Sequence, residues 1–112
     1  MSHLSEVRSD QRSSRVKLGG SILAVVLLEN GRQVRAKMHQ LSGNGGLLHL
    51  DKPLDESIKV EVVFHVGETS FRTPAEMLFP MWATKGCLQP FRFVELSEME
   101  RTQLSTELDT ML

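Results

Sequence analysis

Two segments of the chain carry side chains suited to ligand chemistry: a glycine-rich turn, Gln-Leu-Ser-Gly-Asn-Gly-Gly at positions 40–46, and an arginine-bearing segment near the N-terminus. Glycine lacks a Cβ, so such a turn reaches left-handed conformations and lets a ligand come close to the backbone. Arg8, Arg12 and Arg15 carry planar guanidinium groups, which bind phosphate or guanine through paired hydrogen bonds. Together the two segments predict the capture of an anionic nucleotide.

Other kinds of chemistry have little support in the residue pattern. The single cysteine, Cys87, and the four histidines are too scattered for the spacing of a metal site. Ser42 does not lie in a Gly-x-Ser-x-Gly motif, and the chain has no Gly-x-x-x-x-Gly-Lys phosphate loop. We therefore expect a protein that is not an enzyme and that needs no metal or cofactor.

Composition predicts one globular domain. The chain has 112 residues, of which 40% are hydrophobic, and no apolar run reaches the ~18 residues of a membrane-spanning helix. A lone cysteine forms no internal disulfide and suits a reducing compartment. Since the N-terminus also lacks the basic-then-apolar layout of a secretion signal, we expect a cytoplasmic protein without membrane insertion.

Charge is small in total but uneven along the chain. The formal net charge is −1, with seven Arg and Lys against two acids from Arg8 to Lys37, and five acids against one base from Glu95 to Leu112. A polymeric nucleic acid needs an extended basic surface, which this balance does not favour. A basic end on a near-neutral protein fits a small anion better.

Hydrophobic periodicity predicts a mostly β fold. Residues 1–14 are predicted as a flexible arm, and residues 15–112 as a single barrel domain of about six antiparallel strands. The expected inward faces are Val34, Ala36 and Met38; Val60, Val62, Phe64 and Val66; and Phe71, Thr73, Ala75, Met77 and Phe79. The pattern also predicts a break at Gly19-Gly20, a hairpin at Asn30-Gly31, a short strand at 47–50, a loose excursion at 80–90 and a last strand at 91–96. Ser97 and Glu100 form a capping-box pattern ahead of a helix expected over 98–112.

These features resemble the PilZ domain family of bacteria. The resemblance covers roughly Arg8 to the C-terminus and includes the arm, the turn, and the closing strand-to-helix junction Phe-Arg-Phe-Val-Glu-Leu-Ser-Glu-Met-Glu-Arg at 91–101. It implies a six-stranded antiparallel β-barrel with one C-terminal α-helix. It also implies the family ligand, the second messenger cyclic di-GMP, and a signal passed to a protein partner.

The family typically carries Arg-x-x-x-Arg in the arm and (Asp/Asn)-x-Ser-x-x-Gly in the turn. Arg8 and Arg12 match the first motif literally, while the alternative register pairs Arg12 with Arg15 and leaves Gln11 at the first motif position. In the turn Ser42 and Gly45 match, and Gln40 stands at the acidic or asparagine position. By resemblance the ligand residues are therefore Arg8, Arg12, Arg15, Gln40, Ser42 and Gly45, with Arg12 as the principal contact.

Gln40 leaves two further interpretations open. A neutral glutamine is expected to weaken guanine binding, or instead to cap the end of its strand with a structural hydrogen bond.

A degenerate module that binds no nucleotide and acts as a protein adaptor in pilus assembly or motility is the alternative function. An oligonucleotide-binding barrel is disfavoured, because five Phe, one Trp and no Tyr offer few rings for base stacking.

Overall fold

Seven β-strands and one α-helix build the part of the chain that the computed structural model describes, residues 16–110, with side chains described from residue 22 onward. The strands are β1 (Val16–Leu27), β2 (Gln33–Ser42), β3 (Gly45–Leu50), β4 (Lys59–Val66), β5 (Thr69–Met77), β6 (Met81–Trp82) and β7 (Cys87–Phe93), and the helix is α1 (Glu98–Asp109). All pairings are antiparallel, in the order β3-β2-β1-β4-β5-β7, and pairing of β3 with β7 closes the ring. The predicted six-stranded barrel with a C-terminal helix is confirmed, and β6 adds a short seventh strand beside β7.

Alternation along the strands fills the barrel interior. The inward positions expected on β2 and β4 are buried or nearly so, and those on β5 are buried as far as Met77. Burial of one such aliphatic or aromatic side chain stabilises the fold by about 1.5–3 kcal/mol. Phe79 was expected on the same face and is 69% exposed, so that prediction is wrong. Since β5 ends at Met77, its alternation does not extend to Phe79.

The first hairpin follows the sequence prediction. The register between β1 and β2 shifts between Lys17 and Ile22, which confirms a break around the two glycines. At the other end Gly31 has a φ of +87°, and the Asn30 side chain accepts a hydrogen bond of 2.9 Å from the Arg32 amide. An Asn-Gly pair therefore turns the chain from β1 into β2.

The last strand begins earlier than predicted. β7 spans Cys87–Phe93, so the expected start at residue 91 is wrong, and the loose excursion ends before Cys87. The early residues of β7 pair with β3, with Cys87 opposite Leu50. Within this stretch the buried Gln89 amide donates to the Leu54 and Leu78 carbonyls at 2.7 and 2.9 Å and accepts from the Leu54 amide at 2.8 Å. These bonds let a polar residue face the interior, because a buried amide is stable there only when it is paired.

Helix α1 packs against the barrel through Leu104 and Leu108, both buried. It begins where predicted, with the capping box between Ser97 and Glu100, and ends at Asp109, while residues 111–112 of the expected helix lie outside the described range. No helix within residues 16–110 has the length and apolar character needed to cross a membrane.

Candidate functional site

The turn between β2 and β3 is tight and internally hydrogen-bonded. Ser42 pairs with Gly45 across the two strands, leaving Gly43 and Asn44 at the tip. The Ser42 hydroxyl accepts from the Asn44 amide at 3.2 Å and lies 3.4 Å from the Gly45 carbonyl, to which it donates. Ser42 is only 6% exposed. Its hydroxyl therefore shapes the turn from inside.

Gly45 and Gly46 are glycines for a reason of packing. A Cβ on Gly45 would collide with the Phe91 carbonyl and come within 2.8 Å of Arg92 Cα. A Cβ on Gly46 would lie 2.5 Å from the Gln40 carbonyl oxygen and 2.9 Å from the Phe91 ring. The backbone that comes close to this turn is therefore that of β7. This close packing lets β7 pair with β3 and close the barrel. Consistent with this, β3 starts at Gly45, two residues before the predicted start.

Gln40 lies beside a β-bulge that redirects the end of β2. Met38 pairs with Leu48 and Gln40 with Leu47, so His39 is the extra residue. Met38 and Leu41 are both buried, whereas His39 and Gln40 are half-buried. A bulge shifts the alternation of a strand by one residue. The inward row of Val34, Ala36 and Met38 therefore does not continue to Gln40.

Two histidines on the paired strands β2 and β3 lie close to each other beside the bulge. The rings of His39 and His49 lie 5.7 Å apart between centroids with an interplanar angle of 36°. His49 Nε2 lies 2.6 Å from the Lys85 carbonyl and donates to it in the tautomer that protonates this nitrogen. Within the described residues no three His, Cys, Asp or Glu side chains meet as a metal-binding group.

The arginines Arg8, Arg12 and Arg15 lie outside the described residues. The backbone of β1 shows where the chain that carries them joins the barrel. Val16 pairs with Leu41 and Lys17 with Gln40, so β1 starts directly beside the end of β2. Val16, the first described residue, therefore lies next to the strand end that leads into the turn with Gln40, Ser42 and Gly45.

Helix α1 supplies a residue of this site that the sequence did not predict. Arg101 Nη1 donates to the Gly43 carbonyl at 2.9 Å and lies 3.4 Å from Asn44 Oδ1. The turn tip also accepts a backbone hydrogen bond, from the Phe93 amide to the Asn44 carbonyl at 2.9 Å. Arg101 is 58 residues away from Gly43 along the chain, so no local spacing links the two.

The barrel is similar to solved PilZ structures. The complex of Escherichia coli YcgR with c-di-GMP superimposes with a TM-score of 0.78 at 19% identity, covering 89% of this chain and 45% of that one. The separate PilZ domain of YcgR with c-di-GMP gives a TM-score of 0.71 at 19% identity and covers 88% of both chains. The Bacillus subtilis inhibitor of motility, MotI/DgrA, gives 0.74 at 13% identity and covers 88% of this chain and 49% of that one.

These likenesses concern the fold. The chain spans about half the length of full YcgR and of MotI/DgrA, and nearly the whole of the isolated YcgR domain. Comparison of the sequence with protein-family models and with curated proteins finds no match. The closed barrel, the β2–β3 turn and the packed C-terminal helix together give this chain the fold of a PilZ domain.

Proposed function

We propose that this protein is a non-enzymatic receptor for cyclic di-GMP that passes the signal to a protein partner in the cytoplasm. The arm supplies Arg8, Arg12 and Arg15, and the turn supplies Gln40, Ser42 and Gly45. One observation carries the proposal: Lys17, near the start of the described chain, pairs with Gln40, which supports one ligand contacting both the arm and the turn. The YcgR structures, which contain c-di-GMP, support the same ligand on this fold.

The chemistry of the ligand suits these groups. Cyclic di-GMP has two phosphates and two guanines, and each guanine presents O6 and N7 as adjacent acceptors. An arginine fork meets that pair with two hydrogen bonds, which contribute about 1–3 kcal/mol of discrimination. Fixing the arm costs about 1–2 kcal/mol per ordered residue, so the ligand must bridge arm and turn to gain enough contacts.

Gln40 and the turn set the strength of binding in this proposal. An acid at position 40 would accept from the guanine N1–H and N2–H groups with a charge-assisted pair, whereas glutamine offers a neutral carbonyl. Hydrogen bonds to charged groups contribute about 1.5–3 kcal/mol and neutral ones about 1, so the substitution weakens binding by about tenfold. Ser42 and Gly45 act by holding the turn in shape against β7.

Calorimetric titration of the full chain with cyclic di-GMP tests the proposal. We expect measurable binding by the wild type and loss of most of it in Arg12→Ala. Arg72→Ala is the matched control, because Arg72 pairs with Glu61 at 2.9 Å on the outside of β4 and β5 and leaves the turn untouched. Absence of heat, together with no competition against labelled ligand at high micromolar concentration, would contradict the proposal.

An adaptor that binds no nucleotide is the second candidate, and β6 gives a specific reason for it. Met81 and Trp82, which form β6 at the end of the sheet order, are 50% and 81% exposed, and Phe79 just before them is 69% exposed. Three exposed apolar side chains within four residues favour a protein contact at this edge, because contiguous exposed apolar patches are typical of such contacts. Retention of the same partner, without nucleotide, by the wild type and by a triple alanine variant of Arg8, Arg12 and Arg15 would support the adaptor.

A further inference from the structure

We infer that Arg101 is a positioning residue for the nucleotide-binding turn, through which helix α1 controls ligand affinity without touching the ligand. The inference rests on the proposed function, and it adds the element that holds the binding turn in place. The contact behind it joins the Arg101 side chain of helix α1 to the Gly43 carbonyl at the tip of the β2–β3 turn.

Two residues outside the turn form hydrogen bonds to its tip. Arg101 donates to the Gly43 carbonyl at 2.9 Å and lies 3.4 Å from Asn44 Oδ1, and the Phe93 amide donates to the Asn44 carbonyl at 2.9 Å. The bond from Phe93 belongs to the barrel backbone, so side-chain substitution leaves it in place. The hydrogen bond from Arg101 to the Gly43 carbonyl is therefore the contact that a side-chain substitution can remove.

The helix gives Arg101 a fixed base. Its backbone amide donates to the Ser97 carbonyl at 2.8 Å, next to the capping box. Leu104 and Leu108 are 0% and 4% exposed and anchor the same helix in the core. A side chain projecting from a base this well packed loses less conformational entropy when it binds the turn.

The far end of α1 is held by a separate contact. Thr69 Oγ1 donates to Glu107 Oε2 at 2.9 Å, beside the turn between β4 and β5. This bond stabilises the helix but does not involve residues 42–45. The chain thus offers a matched pair of substitutions, one at each end of the same helix.

The expected effect follows from the charge on the guanidinium. A hydrogen bond from a charged donor is stronger than one from a neutral donor, but solvent screens the exposed Arg101 and reduces that strength. We therefore expect Arg101→Ala to weaken cyclic di-GMP binding by about tenfold. Alanine is a good helix former, so α1 persists in that variant. Because coupling of this kind is reciprocal, bound nucleotide should in turn hold α1 more firmly on the barrel.

The experiment compares Arg101→Ala, Arg101→Lys and Thr69→Val with the wild type. Two quantities are measured: the dissociation constant for cyclic di-GMP by calorimetry, and hydrogen–deuterium exchange of the amides of residues 43–46. Arg101→Ala should raise the dissociation constant about tenfold and speed exchange in the turn of the ligand-free protein. Arg101→Lys should recover part of both, since lysine still donates to the Gly43 carbonyl, and Thr69→Val should leave both within twofold of the wild type.

Two results would overturn the inference. One is wild-type affinity and wild-type turn exchange in Arg101→Ala. The other is an equal loss of affinity in Thr69→Val, which would mean that helix stability alone matters. If the wild type itself binds no cyclic di-GMP, the proposed function fails, while exchange in the ligand-free turn still decides whether Arg101 positions it.

Discussion

Gln40 stands at the position where the family that this chain resembles typically carries aspartate or asparagine. It lies half-buried beside the bulge at His39, next to the start of β1. Its amide can accept from guanine through the carbonyl, but it brings no negative charge. The strength of nucleotide binding is therefore expected to be limited at this position.

Gln40→Asp should strengthen binding. The new carboxylate would accept from guanine with charge-assisted hydrogen bonds, so we expect the dissociation constant for cyclic di-GMP to fall about tenfold. Gln33→Asp is the control, because Gln33 is exposed at the opposite end of the same strand and the added charge is equal. Unchanged or weaker binding in Gln40→Asp would show that position 40 does not face the guanine edge.

At the level of single residues, the sequence predicts some features of the turn and misses others. The glycines at 45 and 46 were recognised as a close-approach site, but the backbone that approaches Gly45 is that of β7. The bulge at His39 was missed, because one extra residue in a strand leaves no distinct sequence pattern. Arg101 was missed for a different reason: its partner Gly43 is distant in sequence, and only the folded barrel brings α1 to the turn.

Cys87 gives a prediction that depends on pH. Burial raises the pKa of its thiol, opposed by a backbone hydrogen bond to Leu50. The unfolded chain then loses the thiol proton at lower pH than the folded chain, so the free energy of unfolding should fall as the pH rises above the ordinary thiol pKa of about 8.5. Urea unfolding of the wild type and of Cys87→Ala between pH 7 and about pH 10 should show a decline that is smaller in the variant. An identical decline in both proteins would refute this assignment.

The strands and the helix were the most predictable level of the molecule. Strict alternation predicted β4, and the capping box predicted the start of α1. β7 was predicted poorly, because Gly86 and Pro90 are residues typical of loops. In the structure β7 pairs with β3, and the Gln89 side chain connects it to the backbone of Leu54 and Leu78.

Gln89→Met tests that role of the buried amide. Methionine has a similar size but makes none of the three bonds, so the Leu54 amide and two carbonyls lose their partners. Each unsatisfied buried group costs about 1–3 kcal/mol, and we expect the free energy of unfolding to fall by at least about 2 kcal/mol. Urea denaturation measures the change, with the exposed Gln33→Met as a control expected within about 0.5 kcal/mol of the wild type. A loss no larger than that of the control would contradict the structural role of Gln89.

At the scale of the whole molecule, the barrel brings the start of β1, the β2–β3 turn and helix α1 together at one end. The start of β1 lies beside the end of β2, the β2–β3 turn follows directly, and α1 reaches that turn through Arg101. The sequence predicted the arm and the turn as separate features, and the resemblance to PilZ domains joined them. Strand pairing supports that link, since Val16, the first described residue, lies opposite Leu41 near the turn.

Removal of residues 1–15 tests the central claim most directly. The described barrel starts at Val16, and thermal unfolding of the shortened chain checks that the fold is retained. We predict that the full chain binds cyclic di-GMP in a calorimetric titration and that the shortened, folded chain loses most of that affinity, because the arm arginines are gone. An equal dissociation constant for the two chains would contradict the account.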